Sequence, residues 1–324
     1  MEISTLRIVY MGTPEFAVAP LQKLLEGGGN VVAVITAPDR PAGRGKKIRQ
    51  TAVKEFATEK GLPVLQPENL KDPEFISQLK QLAPDLQVVV AFRMLPELVW
   101  QIPTLGTFNL HASLLPDYRG AAPINHAIIN GETRTGVTSF MIDKQIDTGN
   151  ILLQEETAIG EDETAGQLHD RLMAMGASLV FKTAQQLAVG NLEARSQDKW
   201  IKPGVMFNKA PKIHKEDCRI DWNRPGKTVA NLIRGLSPYP GAFTRLDKGE
   251  EKKILCKIYH AAFVPAIHNH QPGTIITDGK KAMKVAVEDG FIQVYSLQQE
   301  GKRKMETEAF LSGINMISFQ PRFS

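Results

Sequence analysis

Between Leu6 and Ala91 mainly apolar runs alternate with stretches whose apolar residues recur at helical spacing, and this alternation constrains the fold more than any other feature of the chain. Leu6 to Met11, Val31 to Thr36 and Pro84 to Ala91 read as buried strands. Glu15 to Glu26, with Phe16, Val18, Leu21, Leu24 and Leu25 on one side, reads as a helix, with Thr13 as its N-cap, Pro14 at its first position and Gly27 to Gly29 ending it. Further helices are predicted over Thr51 to Lys60 and from Pro73 to Leu82, with a short strand at Pro63 to Leu65. Parallel neighbours need a crossover, usually a helix, so strand and helix in alternation predict an α/β fold: a doubly wound, Rossmann-like, mostly parallel sheet. The glycines after the first strand do not form G-x-G-x-x-G, so no dinucleotide fingerprint is present.

After the amphipathic helix expected over Thr164 to Val189 the pattern changes. Five short strand-like runs follow, at Gly241 to Leu246, Lys253 to Phe263, Gly273 to Thr277, Met283 to Val287 and Phe291 to Leu297, with Asp278-Gly279 and Asp289-Gly290 as turns. A smaller OB-like β-barrel is expected there, with Asp217 to Trp222 as a further strand and Thr228 to Leu236 as a helix. For 324 residues, two domains are expected: 1–189, a linker over 190–208, and 209–324, with the first able to fold without the second.

Charge follows the same division. Residues 1–189 carry 17 basic and 21 acidic side chains, whereas the remainder carries 22 and 14, so an overall +4 hides a basic C-terminal part suited to a polyanion. A second basic element is the Pro- and Gly-rich loop from Ala37 to Gln50, where Arg40, Arg44, Lys46, Lys47 and Arg49, with Lys54 just beyond, face one acid. No run approaches the ~18 apolar residues of a membrane span, and the N-terminus lacks a signal-peptide pattern, so a cytoplasmic protein is expected. Cys218 and Cys256 have no partners at metal-ligand spacing, and His268-Asn269-His270 reads as a loop, so no metal is expected.

The chemistry concentrates in Gly106 to Pro123. In the strand Phe108-Asn109-Leu110-His111 alternate side chains share a face, so Asn109 and His111 project together at a strand's C-terminal end, where open α/β sheets place ligands. Asp147 follows the next strand, in the polar turn beginning at Asp143. Brought together, an imidazole, a carboxylate and a neutral amide fit direct acyl transfer to an amine: His111 moves a proton, Asp147 supports it, and Asn109 donates to a developing oxyanion.

The run Asn109-x-His111-x-Ser113-Leu114-Leu115-Pro116-x-x-Arg119-Gly120-Ala121-x-Pro123, with Asp147-Thr148-Gly149 downstream, resembles the signature of 10-formyltetrahydrofolate-dependent formyltransferases. Gly12-Thr13-Pro14-x-Phe16, the stretch Pro38 to Lys47, and Ile220-Asp221-Trp222 are similar to the members that act on charged tRNA. The resemblance implies 10-formyltetrahydrofolate as co-substrate and charged initiator tRNA as partner, the acceptor being the α-amine of its methionine. It implies Asn109, His111 and Asp147 as the catalytic trio. Ser113, Leu114, Leu115 and Pro116 become the folate-contacting turn, with Phe92, Arg93, Met94 and Leu95 on one wall of the pteridine pocket and Asp143 on the other. Arg40, Arg44, Lys46 and Lys47 would enter the tRNA acceptor arm, and the barrel would bind its backbone. A monomer is expected. The alternative is a formyltransferase acting on a small amine, such as glycinamide ribonucleotide or an amino sugar nucleotide.

Overall fold

The computed structural model describes residues 2–42, 47–199, 204, 206–247, 253–313 and 322–324, without the side chains of Ala42 and Lys47. The chain divides into two compact units, and not by a single cut. The first comprises residues 1–120, 135–157 and 169–209; the second comprises 121–134, 158–168 and 210–324. The segments around residues 121–134 and 158–168, placed by sequence with the first domain, therefore group with the second.

In the first unit β1 (Ile8–Gly12) is buried at every position, as a central strand covered on both faces must be. The helix after it starts later than its sequence suggests. Pro14 is extended and Glu15 to Ala17 form a tight 3-10 turn, so Thr13 does not cap α1 (Val18–Glu26). β2 (Val31–Ile35) follows. Two three-residue strands, β3 (Arg40–Ala42) and β4 (Lys47–Arg49), then pair antiparallel where a loop was expected. That ladder is made by main-chain groups and leaves no hydrophobic period to detect. The tip between these strands, with Arg44 and Lys46, lies outside the described residues.

The unit continues with α2 (Ala52–Glu59), capped by the Thr51 hydroxyl, then β5 (Val64–Leu65) and α3 (Pro73–Gln81), capped by Asp72. After these come β6 (Leu86–Val90), α4 (Glu97–Trp100), β7 (Thr107–His111) and β8 (Arg119–Gly120). The chain goes on through α5 (Pro123–Ile129), β9 (Arg134–Met141), β10 (Ile151–Ala158), α6 (Ala165–Ala188) and β11 (Lys209–Ala210). The main sheet has the order β10-β9-β7-β6-β1-β2-β5. From β7 to β5 its pairs are parallel, and β9 adds antiparallel to β7. Val9, Met11, Ile35, Phe75, Leu79, Val89 and Val99 form a core on one face. On the other, α6 comes so close to β7 that a Cβ on Gly176 would lie 2.6 Å from Leu110 Cδ2. Leu110 is thus spent on packing, which leaves the other side of β7 for Asn109 and His111.

The second unit contains α7 (Gly226–Gly235), β12 (Ala242–Asp247), β13 (Lys253–Pro265), β14 (Ile275–Thr277) and β15 (Met283–Val287). It ends with β16 (Gly290–Gln299), β17 (Met305–Glu306), α8 (Thr307–Ser312) and β18 (Arg322–Phe323). The order β14-β15-β16-β13-β12-β18 is closed by a bridge from Thr274 to Arg322, giving the expected small antiparallel barrel. Closure removes the exposed edges that an open sheet would carry. Cys218, Ile220, Trp222, Val229, Ile233, Phe243, Ile258, Val285, Ile292 and Leu297 fill it. Trp222 stacks on Phe323 and donates to Thr244 Oγ1 at 3.0 Å. Asp217 to Trp222 is not the expected strand: Asp217 and Asp221 accept from the backbone amides of His214 and Asn223, and such local bonds compete with a ladder, of which one bridge, Arg219 to Phe243, remains. In the same unit α5 is tied to α7 by Asn125 Nδ2, which donates to the Gly235 carbonyl at 2.7 Å.

Candidate active site

Asn109 and His111 leave β7 on one face, as the period of two requires, and Asp147 is brought to them by the turn between β9 and β10. His111 is 6% exposed. Its Nε2 lies 2.8 Å from the Tyr118 carbonyl. A carbonyl only accepts, so Nε2 carries a proton, and in the neutral ring the lone pair is on Nδ1. That atom faces Asp147 Oδ2 at 3.8 Å, too far for a hydrogen bond but near enough to stabilise an imidazolium. A neutral His111 here is a base whose vacant nitrogen stands beside a carboxylate.

Asp147 is held in a left-handed conformation, φ +57°, as is Tyr118 at +59°. For residues other than glycine such backbone costs about 1–3 kcal/mol and persists only where its surroundings fix it. They do so here. Gly120 N donates to Asp147 Oδ2 at 2.9 Å, and Gln197 Nε2 donates to the Asp147 carbonyl at 3.0 Å. Gly149, two residues on, has no room for a side chain: its Cβ would lie 1.7 Å from the Met141 carbonyl oxygen.

Asn109 is half-buried, and its Oδ1 is buried with no hydrogen-bond partner. Leaving such an atom unpaired costs about 1–3 kcal/mol, which a folded chain tolerates where a substrate will pair with it. An amide oxygen only accepts, so Oδ1 suits a substrate N–H or O–H, and the end of this amide able to donate to a substrate oxygen is Nδ2.

The remaining expected contacts separate into two kinds. Ser113 is fully buried and donates to the Asp117 carbonyl, while Thr138 Oγ1 donates to the Ser113 carbonyl at 2.6 Å and accepts from Leu115 N at 3.2 Å. These bonds set the Ser113 to Pro116 turn, and Gln154 adds one to the Leu115 carbonyl at 2.8 Å. Leu115 packs with Phe140 and Ile151, and Pro116 is buried. Leu114 is half-buried. Leu95 joins the sheet core and Phe92 packs partly on it, whereas Met94 is 71% exposed beside them. Arg93 spends its guanidinium on the Pro67 and Glu68 carbonyls, and partial burial, then repulsion by Arg40, pull it below its usual range. Asp143 is exposed and accepts from Gln145 N and Thr148 Oγ1, shaping the turn that ends at Asp147.

At the foot of the basic hairpin Arg40 is exposed. Lys54, counted by sequence among the cations of that loop, instead pairs with Asp39 at 2.6 Å, and Gln66 Nε2 donates to Asp39 Oδ1 at 2.8 Å. The Lys54 bond, then that from Gln66, holds Asp39 below the usual carboxylate range. Main-chain and polar partners of the trio, namely the Tyr118 carbonyl, the Gly120 amide and Gln197, were not found from sequence. They act through backbone atoms or a buried amide, for which spacing gives no signal.

Residues 6–183 match the family described as formyl transferase, and residues 212–315 match the formyl transferase C-terminal domain. A methionyl-tRNA formyltransferase of Bacteroides fragilis is 52% identical over 316 residues, 98% of this chain and 97% of that protein. One of Parabacteroides distasonis is 53% identical over 319 residues, 98% of each. An N-formyltransferase of Helicobacter canadensis, solved with folinic acid and dTDP-3-aminofucose, superposes with a TM-score of 0.63 over 93% of this chain and 100% of that one; at 20% identity it speaks for the fold alone. With its trio on β7 and the β9–β10 turn, and with both domain types matched along its length, the chain belongs to the formyl transferase family.

Proposed function

We propose that this protein transfers a formyl group from 10-formyltetrahydrofolate to the α-amino group of methionine charged on initiator tRNA. The reading is carried by His111 facing Asp147, with Asn109 two residues before His111 on the same face of β7, in a chain about half identical, end to end, to methionyl-tRNA formyltransferases. The bound formyl-folate supplies an activated one-carbon acyl group. Asn109 directs its amide at the formyl oxygen and donates to it as negative charge develops there, a role worth about 10²–10³ in rate. His111 Nδ1 receives the proton that the amine loses on forming its new bond to carbon; the bond from that carbon to the folate N10 then breaks as the imidazolium returns the proton to N10, and tetrahydrofolate leaves. Asp147, across 3.8 Å, stabilises the imidazolium so formed. Ser113 to Pro116, with the exposed Met94 and Asp143, offers contacts to the folate.

In this reading residues 1–189 carry catalysis and 209–324 a barrel that binds tRNA, joined by 190–208. Arg40, Arg44, Lys46 and Lys47 meet the acceptor arm. The trio comes from a single chain, in keeping with a monomer. Among the described residues no helix is long and apolar enough to cross a membrane, and we place the enzyme in the cytoplasm.

A small-amine acceptor is the rival, and the excess of 22 basic over 14 acidic side chains beyond residue 189 counts against it. Incubation with labelled formyl donor and, separately, charged initiator tRNA, charged elongator tRNA, glycinamide ribonucleotide and an amino sugar nucleotide decides between them. Label on initiator tRNA above all others is the expected result; preferential label on a small amine would overturn the reading. Arg44→Glu should raise KM for charged tRNA far more than KM for the folate, and equal losses would remove the hairpin from RNA recognition.

A further inference from the structure

Gln197 lies in a short 3-10 turn, Gln197–Lys199, 50 residues beyond Asp147 in sequence, yet it is 1% exposed and joined to the candidate site by both polar atoms of its side chain. Its Nε2 donates to the carbonyls of Asp147 at 3.0 Å and Gly149 at 2.8 Å. Its Oε1 accepts from Arg119 Nε at 3.2 Å and Nη2 at 2.5 Å. Carbonyls only accept and a guanidinium only donates, so the partners themselves fix which end of the amide is which. We infer that Gln197 is a positioning residue for proton transfer: by tying Arg119 to the Asp147–Gly149 backbone it aims the Asp147 carboxylate at His111 Nδ1. The inference rests on the role proposed above for Asp147.

The bonds form a closed ring. Gly120, next to Arg119, donates its N–H to Asp147 Oδ2 at 2.9 Å. Asp147 is thereby gripped at its carbonyl through Gln197 and Arg119, and at its carboxylate by the residue following that same arginine. The oxygen bound by Gly120 is also the one 3.8 Å from His111. Removing Gln197 opens the ring on the backbone side, where φ is +57° and the conformation depends on outside support. Asp147 Oδ2 then loses a fixed position relative to Gly120 and His111 together. Other choices at this buried position fail for definite reasons. An apolar residue leaves two carbonyls and a guanidinium unpaired, and Glu satisfies Arg119 but turns an oxygen toward both carbonyls.

Gln197→Met keeps most of the volume and removes all four bonds; Gln197→Glu keeps the Arg119 contact and serves where the first variant does not fold. Two readouts go beyond stability. Steady-state formylation should show kcat reduced about 10–100-fold, as misplacement by up to about 1 Å gives, with KM for formyl donor and charged tRNA within about 3-fold. The Gly120 amide proton, followed by NMR, should move toward its position in Asp147→Ala, while amides of β7 stay in place. A variant with a lowered melting temperature but unchanged kcat would overturn the inference, reducing Gln197 to a structural brace. So would a slow variant whose Gly120 amide does not move. If the wild-type protein formylates none of the amines, the functional reading fails, whereas the Gly120 amide still reports on the ring.

Discussion

Asp147 Oδ2 stands 3.8 Å from His111 Nδ1, while the other imidazole nitrogen is committed to the Tyr118 carbonyl at 2.8 Å. The two contacts divide the ring's labour. One fixes tautomer and orientation, and the other leaves a lone pair beside a negative charge with space for a proton. A histidine held in this manner has one nitrogen available for chemistry, and the fold dictates which.

His111→Ala should lower kcat for formyl transfer by about 10²–10⁴, the range for loss of a general base, with KM for the folate changed only a few-fold. Rapid-quench or steady-state assays with labelled formyl donor would show it, and a variant within two-fold of wild type would remove His111 from the proton path.

Asn109→Leu should separate stability from function. The substitution deletes a buried acceptor that has no partner and replaces it with an apolar group of similar size, so the urea midpoint should hold or rise by the equivalent of about 1 kcal/mol. Activity should fall at least 10²-fold. A large loss of stability would mean that the amide is paired in the resting protein.

Gly149→Ala tests the turn that presents Asp147. Its Cβ would meet the Met141 carbonyl oxygen at 1.7 Å, a backbone atom that cannot step aside, so the turn must move. A loss of about 1–3 kcal/mol in denaturant titration is expected, together with a fall in kcat greater than that of a surface Gly→Ala control. Unchanged kcat would show that Asp147 tolerates displacement.

Asp278 supplies a pH test remote from the site. One of its carboxylate oxygens accepts from the amides of Lys280, Lys281 and Ala282, and these bonds, that of Ala282 foremost, lower its pKa from 3.8 to about 2. A carboxyl depressed on folding stabilises the native state above its unfolded pKa, and the benefit is lost as pH falls through the folded value. The wild type should therefore exceed Asp278→Asn in urea midpoint at pH 6, with the gap narrowing below about pH 4. A gap independent of pH would refute the charge-based account.

The fragment 1–208 should not behave as the self-contained domain its sequence suggests. Residues 121–134 belong to the second unit, where Asn125 Nδ2 bonds the Gly235 carbonyl and Ile129 packs against the barrel core. Without 209–324 those groups lose their partners. The fragment is expected to bind a hydrophobic dye or to elute as an aggregate in gel filtration; a dye-silent monomer would show that α5 is dispensable to its folding.

What the sequence determined by itself is whatever depends on local period and on residue type. Unbroken apolar runs make β1 and β6 central strands, helical spacing makes α2, α3 and α6, and period two puts Asn109 and His111 on one face of β7. Residue types made Asn109, His111 and Asp147 candidates for acyl transfer, and it was the family resemblance that implied them as a catalytic trio. Tertiary structure decided what rests on main-chain groups and distant partners. The β3–β4 ladder, the local bonds that replace a strand at Asp217 to Trp222, and the pairing of Lys54 with Asp39 leave no mark in hydrophobic pattern. Only the folded chain determined which His111 nitrogen is free, because a carbonyl seven residues away fixes it, and only the folded chain brought Gln197 to Asp147. A backbone carbonyl is the same in every residue, so its position can be read only after the chain has folded.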